Sequence, residues 1–175
     1  MRTIKEGRKM NNGTVFSVSN ANNIELIESF GGADRLETIK SFLKQLTGAG
    51  AKVKIVSTSW FPITENQWKE YLFYVSSELK LGFLKDDILT VADPGPGLSA
   101  DKGAKIQKDQ KDAGGNGGYL KQAIFADDSW GNIKSSRNVC QTLYINERKG
   151  LDVEDREYIL SSVKHGKGEK PVSEG

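Results

Sequence analysis

The feature that most constrains the fold of this 175-residue chain is an alternation of strand-like and helix-like segments. Short runs rich in β-branched and aromatic residues recur, and stretches with helical periodicity separate them. The predicted strands cover residues 14–19, 53–56, 87–92, 119–126 and 142–146. Connections of about 30 residues suit a helical crossover between parallel strands. We therefore predict a three-layer, Rossmann-like α/β fold, in which a sheet of five mainly parallel strands has helices on both faces.

Helix signals in the sequence agree with this alternation. Thr64 is a favourable N-cap for the helix predicted after it. Asp152 opens a last helix, and Asp155 three positions on partly imitates a capping box. We also predict a polar helix over residues 99–110, before the fourth strand, and a short helix over residues 130–138, after it.

Length and composition favour one globular domain. Hydrophobic residues make up 37% of the chain and charged residues 27%, which is typical of a protein that buries a core. We predict a single domain over residues 13–164, between a flexible N-terminal segment (residues 1–12) and a flexible C-terminal tail (residues 165–175).

Charge and apolar patterning argue against several partners. The net charge of +2 gives no argument for nucleic acid or for an anionic membrane. No stretch approaches the roughly 20 apolar residues of a membrane helix. No apolar run follows the basic N-terminal residues, as it would in a signal peptide. The single cysteine, Cys140, excludes an internal disulfide and fits a reducing compartment, so we predict a soluble intracellular protein.

Two residue types that often carry chemistry occur only once. His165 is the single histidine, which argues against a histidine-built zinc site and against a serine-histidine-aspartate triad. We predict that His165 is exposed to solvent and that Cys140 is a small buried apolar group near the fifth strand.

Polar residues cluster where three of the predicted strands end. The clusters are Ser17 with Ser19, Ser57 with Thr58, and Asp127 with Asp128. In open α/β sheets, ligands bind just beyond the carboxyl ends of the strands. We therefore expect the three clusters to share one crevice, which a lysine from the preceding helix, Lys102, would also reach.

The order and strand placement of these clusters resemble the haloacid dehalogenase superfamily, the aspartate-nucleophile phosphatases. The resemblance runs from about residue 14 to residue 151. In that family the first strand ends in two aspartates: the first attacks phosphorus, and the second is the general acid and base. Ser17 and Ser19 occupy these two positions here. The second strand of the family ends in a serine or threonine that holds the phosphoryl oxygens, a role that falls to Ser57, with Thr58 next to it.

The resemblance also implies a lysine and a metal site. A lysine between the third and fourth strands neutralises the phosphate in the family; Lys102 matches best, and Lys105 is the second choice. Paired acids at the end of the fourth strand hold magnesium, and Asp127 and Asp128 match them. Residues 129–133 also resemble the family's continuation. The short interval after the first predicted strand implies little or no cap domain.

Serine in place of both aspartates changes the expected chemistry. A serine hydroxyl is not ionised at neutral pH, and loss of the second acid removes a contribution of about 10²- to 10⁴-fold in rate. Magnesium prefers carboxylate oxygens, so the loss also weakens its binding. Because Lys102 and the hydroxyls remain, we expect a pocket that suits anions better than metal, with Mg²⁺ weakly held at most.

The leading functional interpretation is a catalytically impaired member of this family, a pseudophosphatase that binds a phosphorylated small molecule or protein. An alternative is an active Mg²⁺-dependent phosphohydrolase. That activity would need another carboxylate, such as Asp34 or Asp93, or a Ser17 hydroxyl activated by Lys102. A third interpretation is a structural or interaction protein in which the pocket is vestigial.

The same residues also have purely structural interpretations. Asp127 and Asp128 can cap the helix that follows, because carboxylates near a helix N-terminus are stabilised by the helix dipole. Lys102, Lys105 and Lys108 lie at three-residue steps and can form a solvated helix face. The strand context and the order of the clusters favour the site interpretation.

Overall fold

The computed structural model describes residues 26–28, 31–98 and 100–165. The described residues belong to two compact units, one within Met1–Lys44 and Val53–Ala100, the other within Gln45–Lys52 and Asp101–Gly175. Each unit contains helices and one two-stranded parallel sheet, so the α/β class is confirmed.

The predicted sheet of five strands differs from what the described part of the chain contains, which is four strands in two separate pairs. The first predicted strand, residues 14–19, lies outside the described residues, as do residues 1–12 and 166–175 of the predicted flexible ends. The single domain over residues 13–164 stays a prediction. Within the described ranges, every helix is too short or too polar to cross a membrane.

In the first unit, strands β1 (Ile55–Thr58) and β2 (Ile88–Val91) pair in parallel, with Ile55 opposite Ile88 and Thr58 opposite Val91. Helix α1 (Ala33–Gly48), which belongs to this unit as far as Lys44, precedes them in the chain. Helix α2 (Glu65–Glu78) and a 3₁₀ turn (Lys85–Asp87) lie between them in the chain. The buried apolar core is made by Leu26, Leu36, Ile63, Trp68, Tyr71, Val75 and Leu79.

Helix α2 begins where the sequence predicts. The Thr64 hydroxyl accepts the Gln67 N–H at 3.2 Å, and the Gln67 side chain accepts the Thr64 N–H at 3.0 Å. This capping box pairs two of the backbone N–H groups that a helix start leaves without partners. The aromatic side chains of α2 then pack inward, with the Trp68 and Tyr71 rings stacked at 5.4 Å.

In the second unit, strands β3 (Leu120–Asp127) and β4 (Cys140–Tyr144) pair in parallel. Helix α3 (Lys102–Asp112) precedes β3, helix α4 (Trp130–Ser136) joins the two strands, and helix α5 (Val153–His165) ends the described chain. The register places Asp127 opposite Tyr144, so both residues lie at the carboxyl end of this sheet.

Two boundaries in this unit differ from the sequence prediction for physical reasons. Helix α3 begins at Lys102, because the Asp101 carboxylate accepts the Ala104 N–H at 2.9 Å and so caps the helix there. Strand β4 begins at Cys140, two residues before the predicted start, because the apolar pair Val139 and Cys140 is already buried. Asp152 and Asp155 cap α5 reciprocally, as predicted.

The Cys140 thiol is buried in β4, as the sequence predicts, and His165 is exposed. Burial raises the pKa of the Cys140 thiol from its ordinary value of 9.0 to about 11, although a backbone hydrogen bond at Phe125 lowers it in part. The thiol is therefore poorly nucleophilic near neutral pH.

The raised pKa of Cys140 predicts a loss of stability in alkali. Below about pH 9 the thiol is protonated in both the folded and the unfolded chain. Above about pH 9 the thiol ionises in the unfolded chain only, so the free energy of unfolding decreases as the pH rises toward 11. By pH 10 the loss should be on the order of 1 kcal/mol. Urea unfolding at pH 8 and pH 10 measures it. A Cys140→Ala variant should show a smaller decrease, and an equal decrease would contradict the assignment.

Candidate functional site

An ion pair in the described part of the second unit joins the first residue of α3 to the last residue of β3. The Lys102 Nζ donates a hydrogen bond to the Asp127 Oδ2 at 2.7 Å, and only 11% and 6% of the two side chains are exposed. The ammonium also lies 6.0 Å from the centre of the Phe125 ring. The pair is therefore a largely buried ion pair with an aromatic neighbour.

The Asp127 carboxylate accepts further donors from the start of α4. The Ser129 N–H donates to Oδ1 at 2.7 Å, and the Asn132 Nδ2 donates to Oδ2 at 3.3 Å. We call these four residues, Lys102, Asp127, Ser129 and Asn132, the lysine–aspartate cluster. Three donors on one carboxylate fix its orientation.

The donors of Lys102 are less fully used than the acceptors of Asp127. An ammonium group has three N–H donors, and within the described part of the chain Lys102 makes one hydrogen bond, to Asp127. A polar group that is mostly removed from water is costly unless its donors find acceptors. The nearly buried Lys102 ammonium therefore has N–H donors that are still available, and such a group suits an anionic ligand.

Asp128, the second predicted metal ligand, is exposed and makes no hydrogen bond or ion pair with the residues described. The structural alternative, in which the aspartates stabilise the start of the following helix, holds in part for Asp127, whose carboxylate accepts the Ser129 N–H, and not for Asp128. Ser129 is the N-cap of α4, and its hydroxyl accepts the Asn132 N–H at 3.3 Å.

Described residues alone do not build a magnesium site. Among residues 26–28, 31–98 and 100–165, no three carboxylate, histidine or cysteine side chains lie together as metal ligands would. Asp127 is neutralised by Lys102 and already accepts three donors, so a hard cation would have to compete with these partners. Binding of Mg²⁺ stays a prediction.

The predicted phosphate ligands of the first unit lie in β1. The Ser57 hydroxyl accepts the Trp68 Nε1–H at 2.9 Å, so the indole orients it, and Thr58 ends the strand. Ser59, which the sequence analysis did not select, is buried, and its hydroxyl donates to the Ile63 carbonyl at 2.8 Å.

The alternative carboxylates proposed for an active enzyme have other surroundings. The Asp93 Oδ1 accepts the Gly95 N–H at 2.9 Å and so stabilises the loop after β2. Asp34 is an exposed residue in the first turn of α1. Ser17 and Ser19 lie outside the described residues, and their convergence with Ser57 and Lys102 stays a prediction.

An exposed aromatic group that was not predicted from the sequence lies at the same end of β3 and β4 as Asp127. The Trp130 and Tyr144 rings meet edge-on, 5.4 Å apart at 89°, and the Arg137 guanidinium lies 4.9 Å from the centre of the Trp130 ring. We call these three residues the aromatic platform. A sequence signal was present, because Trp130 follows Asp127 by three residues and both aromatic residues adjoin strand ends.

Comparison of the chain with protein-family models, with curated proteins and with solved structures gave no match. The functional assignment therefore depends on the geometry of the lysine–aspartate cluster and on the residues of the sequence.

Proposed function

We propose that the chain is a pseudophosphatase of haloacid-dehalogenase type, with a three-layer Rossmann-like fold and little or no cap domain. In this proposal it binds a phosphate group without hydrolysing it. The parallel strand pairs and the helices that alternate with them support the fold. The lysine–aspartate cluster at the carboxyl end of β3 supports the phosphate site, because ligands of such sheets bind at this end.

One observation carries the proposal: the Lys102 side chain is only 11% exposed, and its ammonium has one acceptor among the described residues. A phosphate dianion would supply oxygen acceptors for the remaining N–H groups of Lys102. Hydrogen bonds of this charge-assisted kind are about twice as strong as neutral ones. The Ser129 hydroxyl and the second N–H of the Asn132 amide are further donors within the same cluster.

The absence of turnover follows from the sequence. Aspartyl-phosphate chemistry needs a carboxylate nucleophile, and serine stands at both positions, Ser17 and Ser19. Asp127 does not replace it, because Lys102, Ser129 and Asn132 occupy its oxygens.

Binding can be measured by thermal unfolding and by calorimetry with inorganic phosphate, tungstate and magnesium chloride as separate probes. A ligand that binds only the folded state at 100 times its Kd adds about 2.7 kcal/mol of stability. We expect phosphate and tungstate to raise Tm, and magnesium alone to have little effect. No turnover of p-nitrophenyl phosphate with magnesium is expected.

Matched variants test the residue assigned to the phosphate. Lys108→Ala removes a lysine of the same helix whose ion pair with Asp112 is exposed, and it should retain binding. The double variant Lys102→Met with Asp127→Leu leaves no buried charge unpaired and should lose binding. If phosphate and tungstate leave the wild-type Tm unchanged, the interaction-protein interpretation is favoured instead. Turnover that Ser17→Ala abolishes would establish the active-enzyme alternative.

A further inference from the structure

We infer that the phosphorylated ligand carries a planar aromatic group, with its phosphate on Lys102 and its ring on the aromatic platform. The inference rests on the proposed function and narrows its ligand class to phosphomonoesters that bear a ring. A nucleotide and a tyrosine phosphate share this chemistry.

The rings of the aromatic platform are exposed, whereas folded chains usually bury most of such side chains. Trp130 is 50% exposed and Tyr144 is 45% exposed. Large aromatic side chains gain free energy when their faces are covered, and base–aromatic stacking is largely independent of the identity of the base. An exposed pair of rings therefore favours a ligand that covers a ring face.

The chain places the platform beside the lysine–aspartate cluster through several links. Trp130 lies between Ser129, the N-cap of α4, and Asn132, and both of these residues donate to the Asp127 carboxylate. Tyr144 is the register partner of Asp127 across the parallel sheet. Neighbouring strands are about 4.8 Å apart, so the backbones of Asp127 and Tyr144 are adjacent at the carboxyl end of the sheet.

Arg137 adds order and charge to the platform. Its guanidinium lies over the Trp130 ring, and it forms no ion pair with any residue in the described ranges. The two rings have four faces. The guanidinium covers one of them, and the edge-on contact covers one more. A positive charge beside the remaining faces also complements a ligand with a phosphate group.

Two matched ligand pairs test the inference, because each pair differs by its aromatic group. The first pair is adenosine monophosphate and ribose 5-phosphate; the second is phosphotyrosine and phosphoserine. Calorimetry should give tighter binding for the ring-bearing member of at least one pair, by about 5- to 100-fold. The pair that shows the difference identifies whether the ligand resembles a nucleotide or an aryl phosphate. Binding should also change the fluorescence of Trp130, the exposed member of the three tryptophans.

Variants assign the effect to the platform. Trp130→Ala should remove the preference for the ring-bearing ligand, whereas Trp130→Phe should retain most of it. Tyr119→Ala removes an aromatic side chain that is 52% exposed at the amino end of β3 and should leave the preference unchanged. Unchanged Tm values would show that the variants fold.

The outcomes separate this inference from the proposed function. If both members of each pair bind equally, or if Trp130→Ala keeps the preference, the aromatic inference is wrong while phosphate binding stands. If neither the four ligands nor inorganic phosphate binds, the proposed function and the inference both fail.

Discussion

Replacing Lys102 with methionine is expected to lower the free energy of unfolding by about 3–5 kcal/mol. The substitution keeps an unbranched apolar stem but removes the ammonium that pairs with Asp127 at 2.7 Å. The Asp127 side chain is 6% exposed, so its carboxylate would be left without a cation and mostly removed from water. The remaining donors, the Ser129 N–H and the Asn132 amide, do not replace a full positive charge. Urea unfolding at pH 7 measures the loss.

The control for this prediction is an ion pair of the same chemistry on the surface of the first unit. Lys85 and Glu70 are joined at 2.6 Å, but their side chains are 44% and 53% exposed. Exposed pairs contribute about 0–1 kcal/mol, so Lys85→Met should change stability far less than Lys102→Met. Equal losses of stability in the two variants would contradict the view that burial determines how much an ion pair contributes.

A double variant separates the cost of the unpaired charge from the value of the pair. Lys102→Met with Asp127→Leu replaces both charges by apolar groups, and buried pairs replaced in this way are often neutral or stabilising. We expect it to recover most of the stability that Lys102→Met loses.

Sequence periodicity and turn chemistry predicted the local structure because these signals act over a few residues. Thr64 caps α2 and Asp152 caps α5 through partners three positions away, so the chain segment alone contains the information. Strand β3 was predicted nearly at its observed bounds because a short apolar run ends at two carboxylates.

The candidate site was predictable only where a residue's position along its strand or helix defines its role. Asp127 was selected because it follows the end of a predicted strand. Lys102 was selected because the helix before that strand could bring it to the same crevice, and because it matches the lysine of the resembled family. The contacts of Asn132 with Asp127 and of Arg137 with Trp130 depend on how α4 returns to the sheet. The hydrophobic pattern does not contain that information, although the contacts span only five and seven residues, because they depend on the turn from β3 into α4 and on side-chain directions. The bond from Trp68 to Ser57 was unpredictable for a similar reason.

The close approach of α3 to the end of α4 predicts opposite effects for two similar substitutions. Gly103→Ala should destabilise the protein by about 1–3 kcal/mol, although alanine favours a helix. A Cβ at Gly103 would lie 2.9 Å from the Ser135 carbonyl oxygen and 3.3 Å from a methyl group of Val139, and a backbone oxygen cannot rotate away. The shift required would also displace Lys102, the adjacent residue, so phosphate affinity should fall together with stability.

Gly131→Ala is the matched control, because it makes the same chemical change in a helix of the same unit. The nearest atom to a Cβ at Gly131 is the Ser129 hydroxyl oxygen at 3.8 Å, an ordinary contact. With the space free, the lower backbone entropy of alanine in the unfolded chain should stabilise the protein by about 0.4–1 kcal/mol. Urea unfolding of both variants measures the contrast. If Gly103→Ala stabilised as much as Gly131→Ala, α3 would not pack closely on Ser135. The position of Lys102 at the end of β3 would then lose its structural basis, because that packing is what holds the first turn of α3 beside Asp127.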